Sequence, residues 1–282
     1  MDKVTVIYPV YNRSHLLKKA LIALNHQSFI PQEVVLSDDG SEEDIVAAVR
    51  EISDKIKFEI KYIRQKDKGF RLARCRNNGV RIASGNYLIF LDQDIIYTKH
   101  FIRTYVKNRK RGFFLVAWPI RLTREETNRV DLDMIESGEF DSIITKNQIK
   151  LIKDQFFKEK LYHYLKRLHL RKIGPKLRGG VFSIYKDDFA LVNGFDEGYQ
   201  GWGYEDDDLG HRLNRAGIKG MNPFYSEYSL HLYHEPFHVD GERVNEAYHL
   251  ERKKMIRKGD YRCKYGLDNP IEDDKITEMK LK

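Results

Sequence analysis

Apolar positions along this chain follow two alternating periods, and their order predicts the fold. Residues 4–10, VTVIYPV, form a near-continuous apolar run ending around Pro9, as expected of a strand buried on both faces. After Asn12 and Ser14, the residues Leu16, Leu17, Ala20, Leu21 and Leu24 recur at helical spacing on one face. EVVLSDDGS repeats the unit with a strand over 33–37, a polar turn and a helix starting at Ser41. Ser41 and Asp44 have capping-box spacing with Asp in place of Glu, and Ile45, Val46, Val49 and Ile52 form the stripe. A third strand over 58–64 leads to a helix near 71–83, Gly85 ends it, and NYLIFLDQD supplies a fourth strand. This alternation predicts an α/β fold with a mostly parallel central sheet flanked by helices.

From about 121 to 177 the texture changes. TREETNRVDLDMIESGEFDS is charged and irregular. The following KNQIKLIKDQFFKEKLYHYLKRLHLRKIGPK is strongly basic, with Ile149, Ile152, Phe156, Leu161, Leu165 and Leu168 at helical spacing. The stretch is expected to be a largely helical insertion or lid. RGGVFSIYKDDFALVNGFDE returns to strand, turn and short helix, and FYSEYSLHLYHEP alternates as a last strand stopping before Pro236. The predicted organisation is one α/β domain over 1–238, carrying the basic helical insertion at 121–177, and a charged helical C-terminal extension over 239–282. Its helix is placed around 242–257.

Composition narrows the class. The 282 residues, 41% hydrophobic, can bury the core of one large domain. Two cysteines, Cys75 and Cys263, argue against a disulfide framework and for a reducing compartment. No apolar run is long enough to span a bilayer, and MDKVTVIYPVYN reads as a strand rather than a signal peptide. A formal net charge of +8 implies an anionic partner: a nucleotide, a phospholipid surface or nucleic acid.

In parallel sheets ligands sit beyond the carboxyl ends of the strands, here Pro9–Asn12, Ser37–Gly40 and Asp92–Asp94. Asp92 and Asp94 offer the hard oxygen ligands of a divalent cation, which a nucleotide diphosphate needs for charge neutralisation. An isolated pair of this kind reads first as solvated strand-end acids; its place after three βα units reverses that reading in favour of the cation. Asp38 and Asp39 can accept from a uracil N–H or a ribose hydroxyl. Arg71, Arg74 and Arg76 stand near a helix start, where guanidinium forks suit phosphate. His231 and His234 can join Asp94 on one cation only if the strand bends, a task for Pro236, and a mixed carboxylate–imidazole shell favours Mn²⁺ over Mg²⁺. In YQGWGYEDDDLGHRLNRAG, four consecutive acids, Glu205 to Asp208, begin a helix whose positive end stabilises carboxylates and keeps one available as a base. Trp202 presents a flat face of the kind that stacks on a sugar ring.

VIYPVYNR, VVLSDDGS, GFRLARCRNNGVRIASGNYLIFLDQD and GGVFSIYKDDFALVNGFDEGYQGWGYEDDDLGHRL together resemble the ordered blocks of glycosyltransferase family 2, enzymes of the Rossmann-like GT-A fold. The resemblance runs from about residue 3 to 235, apart from 121–177. GWGYEDDD is similar to the block of β-1,4-galactosyltransferases and bacterial chondroitin-type polymerases, with Tyr204 where the animal enzymes carry glycine. The resemblance implies Asp38 and Asp39 at the uridine, Pro9 and Tyr11 beside it, Asp92 at the ribose, and Asp94 with His234 on the metal, Mn²⁺ or Mg²⁺. His231 stands where the galactosyltransferases carry methionine. Arg71 and Arg76 are expected at the donor's phosphates. Trp202, Gly203 and Glu205 are expected at the acceptor, and Asp206 matches the catalytic base of an inverting transfer. The implied activity moves a hexose or N-acetylhexosamine from a UDP-sugar to a glycan or lipid-linked saccharide hydroxyl, in bacterial surface polysaccharide or lipooligosaccharide synthesis. A cytoplasmic location is expected, with peripheral contact at the inner membrane face through the basic segment and no nucleic-acid partner. Two rivals fit the same residues: a metal-dependent phosphoesterase or nuclease, and a non-enzymatic basic binding module.

Overall fold

Four parallel strands carry the site. In the computed structural model, which describes residues 2–170, 174–235, 244–271 and 276–282, β1 (Val4–Val10), β2 (Glu33–Asp38), β3 (Glu59–Arg64) and β4 (Tyr87–Leu91) lie in the order β3-β2-β1-β4. The helices Ser14–Asn25, Ile45–Arg50 and Leu72–Ile82 follow the first three strands. Successive strand residues point to opposite faces, so Val6, Tyr8, Val34, Leu36 and Ile89 enter one core while Ile7, Val35, Leu88 and Phe90 enter another. Burial on both faces explains the near-continuous apolar runs.

The second helix begins at Ile45, four residues later than the sequence predicts. The Ser41 hydroxyl and N–H both donate to Asp38 Oδ1, each at 2.7 Å, which commits Ser41 to the turn. Asp44 is the cap instead, its side chain accepting from Ala47 N–H.

Beyond β4 the sheet is mixed. The remaining strands are β5 (Ile95–Tyr97), β6 (Phe113–Val116), β7 (Pro119–Arg121), β8 (Val181–Tyr185), β9 (Lys219–Met221), β10 (Ser229–His231) and β11 (Thr277–Lys280). β8 runs antiparallel between β4 and β6, and β9 pairs parallel to β6. A small second sheet, β5-β10-β7, carries His231 past the end of β4. The tail does contain a helix, Glu246–Lys258, but its last residues form β11, antiparallel on the edge of β3, where the sequence predicts only helical extension. With Met279 alone packed on the core, four residues carry too weak an alternation to read, and pairing with the open edge of β3 decides their state.

Residues 121–177 divide in two. Val130, Ile135, Phe140, Ile143 and Ile144 belong to the main core, so the first part is built into the domain rather than laid over it. The long helix Lys146–Arg167 packs on that core through Ile149 and Ile152. Its buried Glu159 accepts from Trp118 Nε1 and Asn222 Nδ2, both at 2.7 Å. Among the described residues, no helix is long and apolar enough to cross a membrane.

The helix Glu205–Arg215 is anchored by a fully buried ion pair, Arg212 Nε to Asp208 Oδ2 at 2.5 Å, with Arg212 also donating to the carbonyls of Val192 and Gly194. Removing one partner of such a pair strands the other charge. Asp208→Ala is therefore expected to cost about 3–5 kcal/mol of stability. The measurement is urea unfolding, where the midpoint should fall at unchanged slope; an unmoved midpoint contradicts this account.

Candidate active site

The first strand-end turn is strained. Asn12 and Arg13 both have left-handed backbones, with φ of 51° and 55°, which non-glycine residues rarely adopt. Neighbours hold them there. Asn12 Oδ1 accepts from the N–H groups of Glu42 and Glu43, and the Glu43 carboxylate accepts from those of Arg13 and Ser14. The Gln93 amide clasps the same turn, accepting from Tyr11 N–H and donating to the carbonyls of Tyr11 and Asn12, all at 3.1 Å. This turn forms one wall of a cavity of about 540 Å³, within the usual range of ligand pockets. Pro9, Tyr11, Asp39, Asp92, Asp94, Trp202, His231 and His234 all line it, as do Arg13, Phe70 and Tyr233.

Asp94, His231 and His234 meet at this cavity, with their ligand atoms all within 4.8 Å of one another. Asp94 Oδ2 lies 3.1 Å from His234 Nε2, and Oδ1 lies 3.6 Å from His231 Nε2. Arg13 reaches Asp94 Oδ2 at 3.5 Å. Burial pushes the Asp94 carboxyl up, but the His234 hydrogen bond and the charges of both imidazoles and Arg13 hold it below the usual value. The same hydrogen bond raises His234. His234 Nδ1 sits 2.8 Å from the Glu235 carbonyl and donates to it, which turns Nε2 toward Asp94. Among the described residues, Asp94 Oδ1 is buried without a hydrogen-bond partner. An orphaned carboxylate oxygen facing two imidazole nitrogens fits a divalent cation of the borderline class. The histidines converge because β10 ends at His231 and Leu232 N–H bonds to the Asp94 carbonyl at 2.9 Å, taking the chain out of the strand before His234. Pro236, the expected source of the bend, lies outside the described residues.

Three donor-side expectations are corrected. Asp38 is buried and spent on its own turn: Oδ1 accepts from Gly40 and Ser41, and Oδ2 accepts from Tyr62 OH at 2.5 Å. Its neighbour Asp39 lines the cavity instead, accepting from Arg71 N–H and the Gln65 amide. Burial pushes Asp39 up to about 6 despite those donors. Arg71 is buried and turns its guanidinium to the Lys66 carbonyl, and Arg76 is buried between two carboxylates. Neither lines the cavity, because each is needed inside.

Arg76 donates to Asp92 Oδ1 at 3.1 Å and to Glu205 Oε1 at 3.3 Å, with its guanidinium over the Phe195 ring. This bridge ties the end of β4 to the start of the acidic helix. The four acids then part company. Burial, and next the charge of Asp206, raises Glu205 to about 7, against the pull of Arg76. Asp206 Oδ2 accepts from Gly179 N–H at 3.2 Å. Asp207 turns to the ammonium groups of Lys176 at 2.9 Å and Lys253 at 3.3 Å, with the His249 imidazole at 3.2 Å, and Asp208 turns inward to Arg212. Glu205 and Asp206 stand outside the cavity lining, one arginine away from Asp92. Trp202 is 59% exposed at the cavity mouth. Gly203, assigned to the acceptor from sequence, uses its carbonyl to accept from Asn245 Nδ2 and thereby fixes the tryptophan loop.

The family model for glycosyl transferase family 2 matches residues 5–185, and a model described as the N-terminal domain of galactosyltransferase matches residues 159–235. The chain belongs to glycosyl transferase family 2. Chondroitin synthase from Escherichia coli is 30% identical over 242 residues, which cover 80% of this chain and 35% of that synthase; the chain thus spans about a third of its relative's length. TarS from S. aureus (residues 1–349), solved with UDP-GlcNAc, superposes with a TM-score of 0.60 at 15% identity, covering 94% of this chain and 68% of that one. The mannosyltransferase PcManGT from Pyrobaculum calidifontis, solved with GDP-Man and Mn²⁺, gives a TM-score of 0.58 at 17% identity, covering 91% and 64%. The fold is GT-A.

In this family 2 enzyme, sequence reasoning passed over Arg13 and Gln93. Both lay inside quoted motifs, in YNR and as the middle residue of Asp92-Gln93-Asp94. Their positions were legible; their roles depend on a left-handed turn that no periodicity reports. The Asp94 cluster has a direct test. Calorimetric titration with Mn²⁺ should give binding that His234→Ala weakens roughly tenfold or more and Asp94→Asn abolishes. Unchanged titrations in both variants remove the cluster from cation binding.

Proposed function

We propose that this glycosyltransferase moves a hexose or N-acetylhexosamine from a UDP-sugar to a saccharide hydroxyl with inversion, on a glycan or lipid-linked acceptor of surface polysaccharide or lipooligosaccharide synthesis. The observation that carries the reading is the Arg76 bridge, which joins cavity-lining Asp92 to Glu205 and so sets the acidic helix start beside the cation cluster. UDP-GlcNAc in TarS, Mn²⁺ in PcManGT and the activity named for the E. coli synthase support the donor class, the metal and the reaction.

In this reading Asp39 accepts from the uracil, with Pro9 and Tyr11 along the base, and Asp92 meets the ribose. Arg13 takes the phosphate role that Arg71 and Arg76 cannot fill. A cation held by Asp94, His231 and His234 would supply positive charge against the donor diphosphate. Trp202 stacks on the acceptor sugar and Glu205 orients it. Asp206 accepts the proton of the attacking hydroxyl as its oxygen bonds to the anomeric carbon; the bond from that carbon to the diphosphate oxygen breaks, and its electron pair leaves with UDP.

UDP release measured across a panel of UDP-sugars with Mn²⁺ should be stimulated by a saccharide acceptor; no release with any donor overturns the proposal. Asp206→Asn is expected to lower kcat by about 10²–10⁴ while leaving donor affinity in place, and full turnover in that variant refutes the base assignment. Donor binding also acquires a pH signature. Asp39 must be ionised to accept from the base, so kcat/KM for the donor should hold above pH 6 and fall as pH drops through about 6. Asp39→Asn should remove that limb and lower kcat/KM at alkaline pH; an acid limb that persists unchanged assigns it elsewhere.

A further inference from the structure

The helix Lys146–Arg167 has two apolar faces, and only one is used. Ile149 and Ile152 pack on the core and Glu159 is buried on the same side. On the other side Phe157, Leu161, Tyr164 and Leu168 succeed one another at steps of four, three and four residues, which stacks them along a single stripe. They are 55%, 54%, 50% and 65% exposed. Tyr225 extends the stripe, its ring 5.7 Å from that of Phe157. Apolar groups in a row on a soluble surface call for a partner.

The surrounding charge says which. Residues 146–170 hold seven Lys and Arg against two acids, one of them the buried Glu159. Lys158 and Lys160, both exposed, flank the stripe on either side. We infer that this face docks on an anionic phospholipid bilayer, the stripe entering the headgroup boundary and the flanking lysines meeting lipid phosphates. The helix is not apolar enough to cross a membrane, so the Phe, Leu and Tyr of its open side enter the interface while the lysine stems reach up to the headgroups. Acidic headgroups attract each nearby cation. The inference does not rest on the transfer chemistry.

Co-sedimentation tests it, using vesicles of phosphatidylcholine alone or mixed with phosphatidylglycerol. The protein should pellet with the mixed vesicles, release with added salt, and stay in solution with phosphatidylcholine alone. The double variant Leu161→Gln/Leu168→Gln should lose about tenfold or more in vesicle affinity, as should Lys158→Glu/Lys160→Glu. Both should keep the wild-type circular dichroism melt and the wild-type rate on a soluble acceptor. Absence of pelleting, equal pelleting with both vesicle types, or unchanged binding by the leucine variant overturns the inference. So does tighter retention on double-stranded DNA than on vesicles, or a wild-type dimer in sedimentation velocity that the leucine variant abolishes.

Discussion

A guanidinium buried between two carboxylates organises this molecule. Taking Arg76 out of water is costly unless partners replace the solvent, and Asp92, Glu205 and the Phe195 ring are those partners. The three charges arrive on three elements: the third helix, the end of β4 and the start of the late acidic helix. None can shift without stranding another. The tandem glycines make room for the bridge, since a Cβ on Gly180 would sit 2.1 Å from Asp92 Oδ2 and one on Gly179 2.7 Å from an Arg76 nitrogen. Carboxylates from two distant elements are thereby held as one body, the preorganisation that the proposed displacement between two substrates would require.

The opposite wall stores strain for a related purpose. Consecutive left-handed Asn12 and Arg13 persist because Glu43, Gln93 and the backbone after β2 bond to the turn's backbone groups and to Asn12 Oδ1. The cost is returned in placement. Arg13 comes to within 3.5 Å of Asp94, so one cation borders the metal-type cluster at the point where diphosphate charge would gather.

The parallel half of the fold was legible because strands buried on both faces and one-sided helices leave different periods, from Val4 to Leu91. Asp39, Asp92 and Asp94, read from where those strands end, line one cavity with His231 and His234, read from the last strand. What stayed hidden was the division of labour among like residues. Asp38 and Asp39 are adjacent and chemically alike; the first closes its own turn, and the second faces the ligand space. Arg71 and Arg76 look like free phosphate forks until burial and the carboxylates around them are known. β11 escaped because its state depends on an open strand edge more than two hundred residues away in sequence. In each case the deciding term is a tertiary partner, which local pattern cannot name.

The charge balance also reads differently in three dimensions. A basic chain with acids lining its cavity first suggests that its excess cations serve that cavity. Yet Arg71 and Arg76 are engaged by an internal carbonyl and by carboxylates, and Glu205, Asp207 and Asp208 of the late acidic helix pair in turn with Arg76, Lys176, Lys253 and Arg212. Seven cations against two acids put a formal +5 of the chain's +8 on one outer helix, where four large apolar side chains stand in water. Net charge here describes a docking face rather than the reaction centre, since only unpaired charge projects a field beyond the surface.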